Sequence, residues 1–337
     1  MSSVMVAGLG DVGVRTARQL LDTPGIDRVY VAARKRSKAE EMVAALHDGA
    51  TAWELGDGTG PLPSDVRAIA AALPSDVDRA LARTAIDAGI AYASATDDPD
   101  ALGALLALDA AAQTNHTRVV AGCGLAPGLS DVLARHAAAA LDTVDEIHVA
   151  RWGVGGDTCA ASARRAAREP GLEWRDHSYV PDRRHGTEIV WFPEPVGARE
   201  CQLVATGVEL LVTAHPGVER VTARMGLPPS RLSLRTRLTP PSHRDAGVNW
   251  GSVRAEAWGL RGTTRAAVVY GVIEQTAVAT GTVLGVTAAW LAGMLPAVAS
   301  AGPGAFGLGT VVDPARFLAE LARRGVKAAA FEGAAVA

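Results

Sequence analysis

Aromatic side chains are scarce in this sequence: Phe, Trp and Tyr together make up 4% of 337 residues, whereas 36 residues are glycine. With few large rings to fill space, its alanine- and glycine-rich elements must pack by close backbone approach. An excess of charge of one sign is lacking too. The formal net charge is −3 with both signs scattered, so no polyanion-binding surface is expected and no nucleic-acid partner; the arginine pairs at 164–165 and 183–184 read as solvated surface. Cysteine is limited to Cys123, Cys159 and Cys201. No two of them have C-x-x-C or zinc spacing, and an odd number argues against a secreted disulfide framework. The H-E-x-x-H, G-x-S-x-G and Walker patterns are absent. A zinc centre, serine acyl transfer and ATP-driven chemistry therefore have no foothold, and no metal is expected. The chain enters a core strand at Val4, which leaves no length for a signal peptide, and a cytoplasmic protein is the expectation.

One absence points the other way. Residues 275–312 carry no charged side chain, and 278–295 is long enough to cross a bilayer. Thr276, Thr280, Thr282 and Thr287 recur within it, Pro296 follows it, and no basic residues flank it. The reading is a buried helix between domains or subunits, with no membrane partner.

What is present begins with Gly8-Leu9-Gly10-Asp11-Val12-Gly13, directly after an apolar run. In a dinucleotide-binding βαβ unit the first glycine turns the chain, the second lets backbone approach a pyrophosphate, and the third seats the helix on the sheet. The helix N-terminus then offers unpaired N–H groups to the phosphates. The alternative is a glycine-rich strand–helix turn without ligand. The next strand, 28–33, ends in Arg34-Lys35-Arg36; Arg34 lies 21 residues after Gly13, and 29–38 contain no Asp or Glu. NAD sites usually place a carboxylate here, whereas a guanidinium pairs with a 2′-phosphate. The expected cofactor is NADP, with NAD the runner-up; Arg34 and Lys35 covering a surface turn is the competing view.

Strand patterns at 51–55, 66–73, 90–93 and 118–121 alternate with helical ones. Ser37 with Glu40 forms a capping-box pattern, Ser75 opens a helix that Gly89 stops, and Asp98-Pro99 caps a helical stretch through 112. This alternation predicts a parallel, doubly wound sheet with ligands at the carboxyl ends of its strands. At one such end Gly122-Cys123-Gly124 is followed by Pro127-Gly128-Leu129-Ser130-Asp131, a turn and helix start that would aim N–H groups at the nicotinamide end of a cofactor or at a substrate carboxylate. From residue 143 the texture changes to short β-rich runs at 145–151, 187–191, 218–223, 253–258 and 264–270, with a hairpin at 260–263 and helices near 160–168 and 274–295. Residues 228–247, with four prolines, read as a long excursion or lid. Asp313-Pro314 caps a last helix, and 326–331 reads as a short strand; this tail is expected to return over the first domain.

On these stretches, together with Ala88-Gly89-Ile90-Ala91-Tyr92, the chain resembles the saccharopine dehydrogenase-like oxidoreductases. The resemblance implies an α/β fold: a Rossmann-type doubly wound parallel sheet over 1–123, an inserted α+β substrate and dimerisation domain over 124–299, and a C-terminal segment, 300–337, returning to the first. It also implies a homodimer and hydride exchange between a nicotinamide cofactor and a C–N centre of a small amine or amino-acid-like substrate. Two departures stand out: Ile69-Ala70-Ala71-Ala72-Leu73-Pro74 replaces an apolar strand with an Asn-x-x-Pro-like turn, and Ala93-Ser94 replaces the aspartate that often follows the tyrosine.

Several candidates carry two readings each. Cys123, next to Gly124, faces the nicotinamide or is a packed thiol. Asp131 favours a helix dipole or binds a substrate ammonium. Tyr92 donates a hydrogen bond at a strand end or is a core aromatic. His177, His185 and His215 are acid–base candidates because imidazole titrates near neutrality. Glu209, placed by the resemblance, and Arg184, placed by its charge, are candidates for the substrate's amine and carboxylate. Beside the amine oxidoreductase stand two alternatives: a ketone or aldehyde reductase on the same scaffold, and a nucleotide-binding scaffold protein without catalysis.

Overall fold

The computed structural model describes residues 2–46, 48–153, 155–182, 186–226 and 250–331. In the first part, β1 (Ser3–Ala7) leads to α1 (Asp11–Leu21), β2 (Arg28–Ala33), α2 (Arg36–Val43), β3 (Ala50–Glu54), β4 (Val66–Ala71), α3 (Ser75–Asp87), β5 (Ala91–Ser94), α4 (Pro99–Leu106), α5 (Asp109–Thr114) and β6 (Arg118–Ala121). Then come α6 (Leu129–Ala138), β7 (Thr143–Trp152), α7 (Asp157–Ala166), β8 (Gly171–Arg175), β9 (Ser178–Asp182), β10 (Thr187–Trp191), β11 (Ala198–Leu203), α8 (Val208–Ala214), β12 (Arg220–Gly226), β13 (Trp250–Arg261) and β14 (Thr264–Gln275). The chain closes with α9 (Thr276–Leu291), β15 (Gly304–Gly307), α10 (Leu308–Val311), α11 (Pro314–Arg323) and β16 (Ala329–Phe331).

Strands β15-β6-β5-β4-β1-β2-β3, in that order, form a parallel sheet. Its strands read as near-continuous apolar runs because both faces are covered. Along β1, Val4 and Val6 point into the core shared with α1 and α9, and Met5 and Ala7 into the core shared with α3 and α4. The doubly wound architecture follows from this period-two division of small aliphatic side chains. The second sheet runs β10-β11-β12-β7-β13-β14-β16 and is mixed: β12 pairs β7 in parallel, while β13 pairs β7 and β14 antiparallel. Ile147, Val149, Val221, Ala223, Val253 and Ala255 form its apolar face against α6. The architecture is a two-part α/β fold, a Rossmann-like parallel sheet with an inserted mixed sheet.

The uncharged stretch becomes α9, almost wholly buried and laid along α1. Gly281 and Gly285 make this approach possible: a Cβ on Gly281 would lie 2.6 Å from that of Arg15, and one on Gly285 3.0 Å from that of Gln19. Thr282 and Thr287 hydroxyls donate to carbonyls four residues back, and Thr280 Oγ1 accepts from the Leu125 N–H. Three of the four hydroxyls that argued against lipid are thus satisfied inside protein, while that of Thr276 is buried with no partner among the described residues. Among the described residues no helix is long and apolar enough to cross a membrane.

Some local expectations are corrected. No capping box forms at Ser37, because α2 starts at Arg36 and Arg36–Glu40 and Lys38–Glu41 ion pairs steady its first turns instead. Ser75 likewise lies inside α3, whose N-cap is Pro74. The helical stretch after Asp98 is two helices, α4 and α5, although Asp98 does cap the first by accepting from the Ala101 N–H. β14 runs on to Gln275, so the helix expected from 274 begins two residues later. β8, β9, β11, α8 and β15 were not anticipated. Arg324, just past α11, donates to the Gln19 carbonyl of α1 and to the Thr23 hydroxyl just beyond that helix. However, β16 joins the second sheet beside β14, because the edge of that sheet has a free ladder for it. The excursion expected at 228–247 lies outside the described residues.

Candidate active site

The strand order places a topological switch point between β1 and β4, where helices leave to opposite faces and ligands bind in such sheets. The first glycine loop stands there. Gly8 has φ +108°, and a Cβ on it would meet the Ala72 carbonyl oxygen at 2.3 Å. A Cβ on Gly13 would lie 1.9 Å from the Gly8 carbonyl oxygen. Both glycines are therefore demanded by the fold. Gly10 differs: its backbone is extended, and a Cβ there would meet nothing within 4 Å. Among the described residues, the N–H groups of Gly10, Asp11 and Val12 have no hydrogen-bond partner. Leu9 and Val12 anchor the loop by packing on the core, while Asp11 is exposed in the first turn of α1. Free N–H groups, a positive dipole end and open space are what an anion cradle requires.

At the carboxyl end of the neighbouring strand β2, Arg34 and Lys35 are exposed and make no ion pair or hydrogen bond with any described side chain. The next two cations are occupied, Arg36 by Glu40 and Lys38 by Glu41. The guanidinium at 34 is thus available on the side of the sheet where the first loop opens.

The second glycine loop closes on itself. Gly124 N–H donates to Pro127 O, Leu129 N–H to Gly124 O, Ser130 N–H to Leu125 O and Gly128 N–H to Asp131 Oδ2. A Cβ on Gly128, at φ +128°, would collide with Gly124 O at 2.3 Å. The expectation that α6 would aim free N–H groups at a ligand is overturned, since the loop's own carbonyls and the Asp131 carboxylate take them. Gly124 is buried within this knot. Cys123 is fully buried, its thiol donating to Val120 O at 3.4 Å, and burial pushes its pKa well up. The packed-thiol reading fits this placement, and a thiolate facing a cofactor does not.

Tyr92 is fully buried as well. Its hydroxyl donates to Asp78 Oδ1 at 2.6 Å, and Ser94 Oγ donates to Asp78 Oδ2 at 2.7 Å. Tyr92 thus points to the α3 side of the sheet and leaves no hydroxyl for a substrate, so the core-aromatic reading fits it. Burial pushes Asp78 up to about 6, against an ordinary 3.8. A raised carboxyl pKa means that the folded chain holds a proton the unfolded chain releases. The associated stability is fully present below about pH 4 and lost as pH rises through about 6. Asp78→Asn keeps an acceptor for Tyr92 and needs only the Ser94 hydroxyl to turn. From pH 4 to pH 8 the stability of this variant relative to the parent is expected to improve by on the order of 3 kcal/mol, read from urea melts at both pH values.

Asp131 occupies a different place. It is 1% exposed, accepts from Ser130 Oγ at 3.0 Å and Gly128 N–H at 3.2 Å, and is pushed by burial up to about 7. With Ser130, Arg151 and Thr206 it lines a cavity of about 20 Å³ between the second glycine loop and the second sheet. The Thr206 hydroxyl is buried there with no partner among the described residues. Arg151 reaches across to Asp97, just beyond β5, at 3.1 Å, and Arg165 pairs with Asp98. Arg151, Thr206 and Asp97 were missed from sequence; the signal for Asp97 is its position after the carboxyl end of a parallel strand, where ligands gather.

The remaining candidates do not converge. His177 sits exposed at the tip of the β8–β9 hairpin with φ +60°, against Trp174. Glu209 is exposed in the first turn of α8, where its charge adds to burial in raising the Tyr179 hydroxyl's pKa. His215 follows the other end of α8, buried and held down to about 4 by desolvation and then by Arg135. Arg184 and His185 lie outside the described residues.

No protein-family model matches the chain, and no curated protein matches it in sequence. Among solved structures it is similar to apo saccharopine dehydrogenase (L-Glu forming) from Saccharomyces cerevisiae, at a TM-score of 0.72 and 11% identity, covering 98% of this chain and 99% of that one. It is also similar to homospermidine synthase from Legionella pneumophila in complex with NAD, at 0.67 and 14% identity over 98% and 92% of the two chains. DAP dehydrogenase from C. glutamicum in complex with DAP follows at 0.52 and 14% identity over 96% and 99%. At these identities the likeness shows the fold.

Proposed function

We propose that this chain is an NADP(H)-dependent oxidoreductase exchanging hydride at a C–N bond, amine to imine or the reverse, of a small amino-acid-like substrate. The observation that carries this reading is the contrast between the two glycine loops. The second spends its N–H groups on itself, whereas the first keeps those of Gly10, Asp11 and Val12 free under open space at the switch point. Gly8, Leu9, Gly10, Asp11, Val12 and Gly13 would hold the pyrophosphate. Arg34, with Lys35, would hold the 2′-phosphate through charge-assisted hydrogen bonds. A nicotinamide bound there would supply the hydride in reduction or accept it in oxidation, and the protein would supply orientation and charge.

The C–N assignment draws on the resemblance and on a shared fold with a homospermidine synthase holding NAD and a DAP dehydrogenase holding DAP. It draws also on Asp131. An imine nitrogen must be protonated for hydride addition, and a buried carboxyl with a pKa of about 7 can hold that proton near neutrality. Its cavity admits a group of about the size of one water, so it suits a reacting nitrogen and excludes the body of the substrate. Thr206 Oγ1 is the unspent hydrogen-bonding group beside it.

Two measurements test the reading. NADPH oxidation is expected with a keto acid plus ammonia or an amine and not with the keto acid alone. Turnover of the keto acid alone would make the protein a carbonyl reductase, and tight NADPH binding without turnover over a broad panel a scaffold. Arg34→Asp is expected to weaken NADPH binding at least about 10-fold and to narrow or reverse the preference over NADH, as loss of a charged hydrogen-bonded partner does. A variant that keeps its NADPH preference would remove the 2′-phosphate assignment.

A further inference from the structure

α6 carries Asp131 and α8 carries Leu211 toward one cavity, and at their other ends the two helices wall a second one of about 420 Å³. Its lining is apolar (Ala138, Val144, Ala214 and Val218 among others) except for Arg135 and His215. His215 is 8% exposed, and its Nε2 is buried with no hydrogen-bond partner among the described residues. The half-buried Arg135 guanidinium makes no ion pair or hydrogen bond among the described residues. A buried ring nitrogen and a guanidinium, both unspent, share one cavity that no acidic side chain lines. A buried ring nitrogen left this way costs stability unless something fills the site.

We infer that this cavity is a second binding site, for a small carboxylate with a short apolar body, held by Arg135 and by a hydrogen bond from His215 Nε2. The guanidinium fork matches a carboxylate in plane. A neutral imidazole suits the remaining lone pair as a donor, and burial together with the Arg135 charge keeps this ring neutral at physiological pH. The alanine, valine and proline walls suit a chain of a few carbons. A phosphate would turn its additional charged oxygens against those walls and lose hydration without replacement. The volume lies within the range of small-ligand sites, about 300–1,000 Å³. The site shares no residue with the first glycine loop, so it stands whether or not the chain binds NADP(H).

The test is a titration of the full-length protein with butyrate at constant ionic strength, inorganic phosphate serving as a parallel arm. The readout is the NMR signal of isotope-labelled histidine, with His215 assigned by its loss in His215→Gln. Butyrate is expected to shift the His215 signal saturably and to bind at least tenfold more tightly than phosphate, with or without NADPH. Arg135→Gln should weaken butyrate at least tenfold. Ala138→Leu, which fills the cavity with side chain and leaves both polar groups in place, should do the same and decides the matter if Arg135→Gln does not fold. An unresponsive His215, equal affinity in the variants, or preference for phosphate would overturn the assignment.

Discussion

Gly10→Val is expected to fold and to lose its cofactor. The backbone at Gly10 is extended, and a Cβ there meets nothing within 4 Å, so the protein itself has room for the larger side chain. Its cost to the fold is the poorer N-cap of α1, about 1 kcal/mol and a few degrees in Tm. Binding is another matter, because the valine methyls would fill the space that a pyrophosphate needs in order to reach the free N–H groups. Hydrogen bonds to a charged ligand are worth about 1.5–3 kcal/mol each, and losing even two of them raises Kd for NADPH by at least about 100-fold. Gly13→Ala makes the opposite comparison. Its Cβ would stand 1.9 Å from the Gly8 carbonyl oxygen, so α1 must lift from the sheet and the loss appears in urea unfolding before any ligand is added. Fluorescence titration and thermal melts of the two variants separate a glycine required by the ligand from one required by the chain. A Gly10→Val protein that bound NADPH as tightly as the parent would show that the loop is not the phosphate cradle.

Asp131→Asn is expected to lower kcat for imine reduction by about 100- to 1,000-fold, the range in which a positioned proton donor contributes. Kd for NADPH should stay within about threefold, since Asp131 lies in the second loop and the cradle in the first. The sign of the pH dependence follows from the direction of its shift. Burial lifts the carboxyl to about 7, so it is protonated below that pH and able to donate, and the rate of reduction by the parent falls as pH rises through about 7. The variant should lose that limb, leaving a low rate that is flat across neutrality. A purely structural Asp131 would behave differently. As a partner of Gly128 N–H and Ser130 Oγ it would move Tm when replaced and leave the pH limb in place.

Much of the first half of this molecule is legible in its residues alone. Its strands are short runs of Val, Ile and Ala covered on both faces, and their ends are punctuated by Gly, Pro and Asp whose backbone requirements are local. β2 and β6 fall on the expected residues, and Asp98 and Asp313 cap helices by accepting from an N–H three residues on. Edge and hairpin strands such as β8, β9 and β11 were less visible, because they mix charged and apolar residues, and β8 and β11 join the sheet through β12, roughly 20 to 50 residues further along the chain. The candidate site divides in the same way. Gly8, Gly10 and Gly13 announce a loop by spacing, and Arg34 announces itself by standing where a carboxylate would. Nothing local shows that Tyr92 spends its hydroxyl on Asp78, or that Thr206 and Arg151 arrive beside Asp131.

By itself, then, the order of residues determined the parallel sheet, the position of the first glycine loop and the cationic end of β2, since each rests on backbone freedom and side-chain period within a few neighbours. Tertiary structure alone decided which of two similar glycine loops keeps its N–H groups free. It also decided which carboxyl is buried enough to hold a proton at neutral pH and which cationic groups remain unpaired. Hydrogen-bond satisfaction and desolvation are settled by everything within a few ångströms, and most of those atoms come from distant parts of the chain.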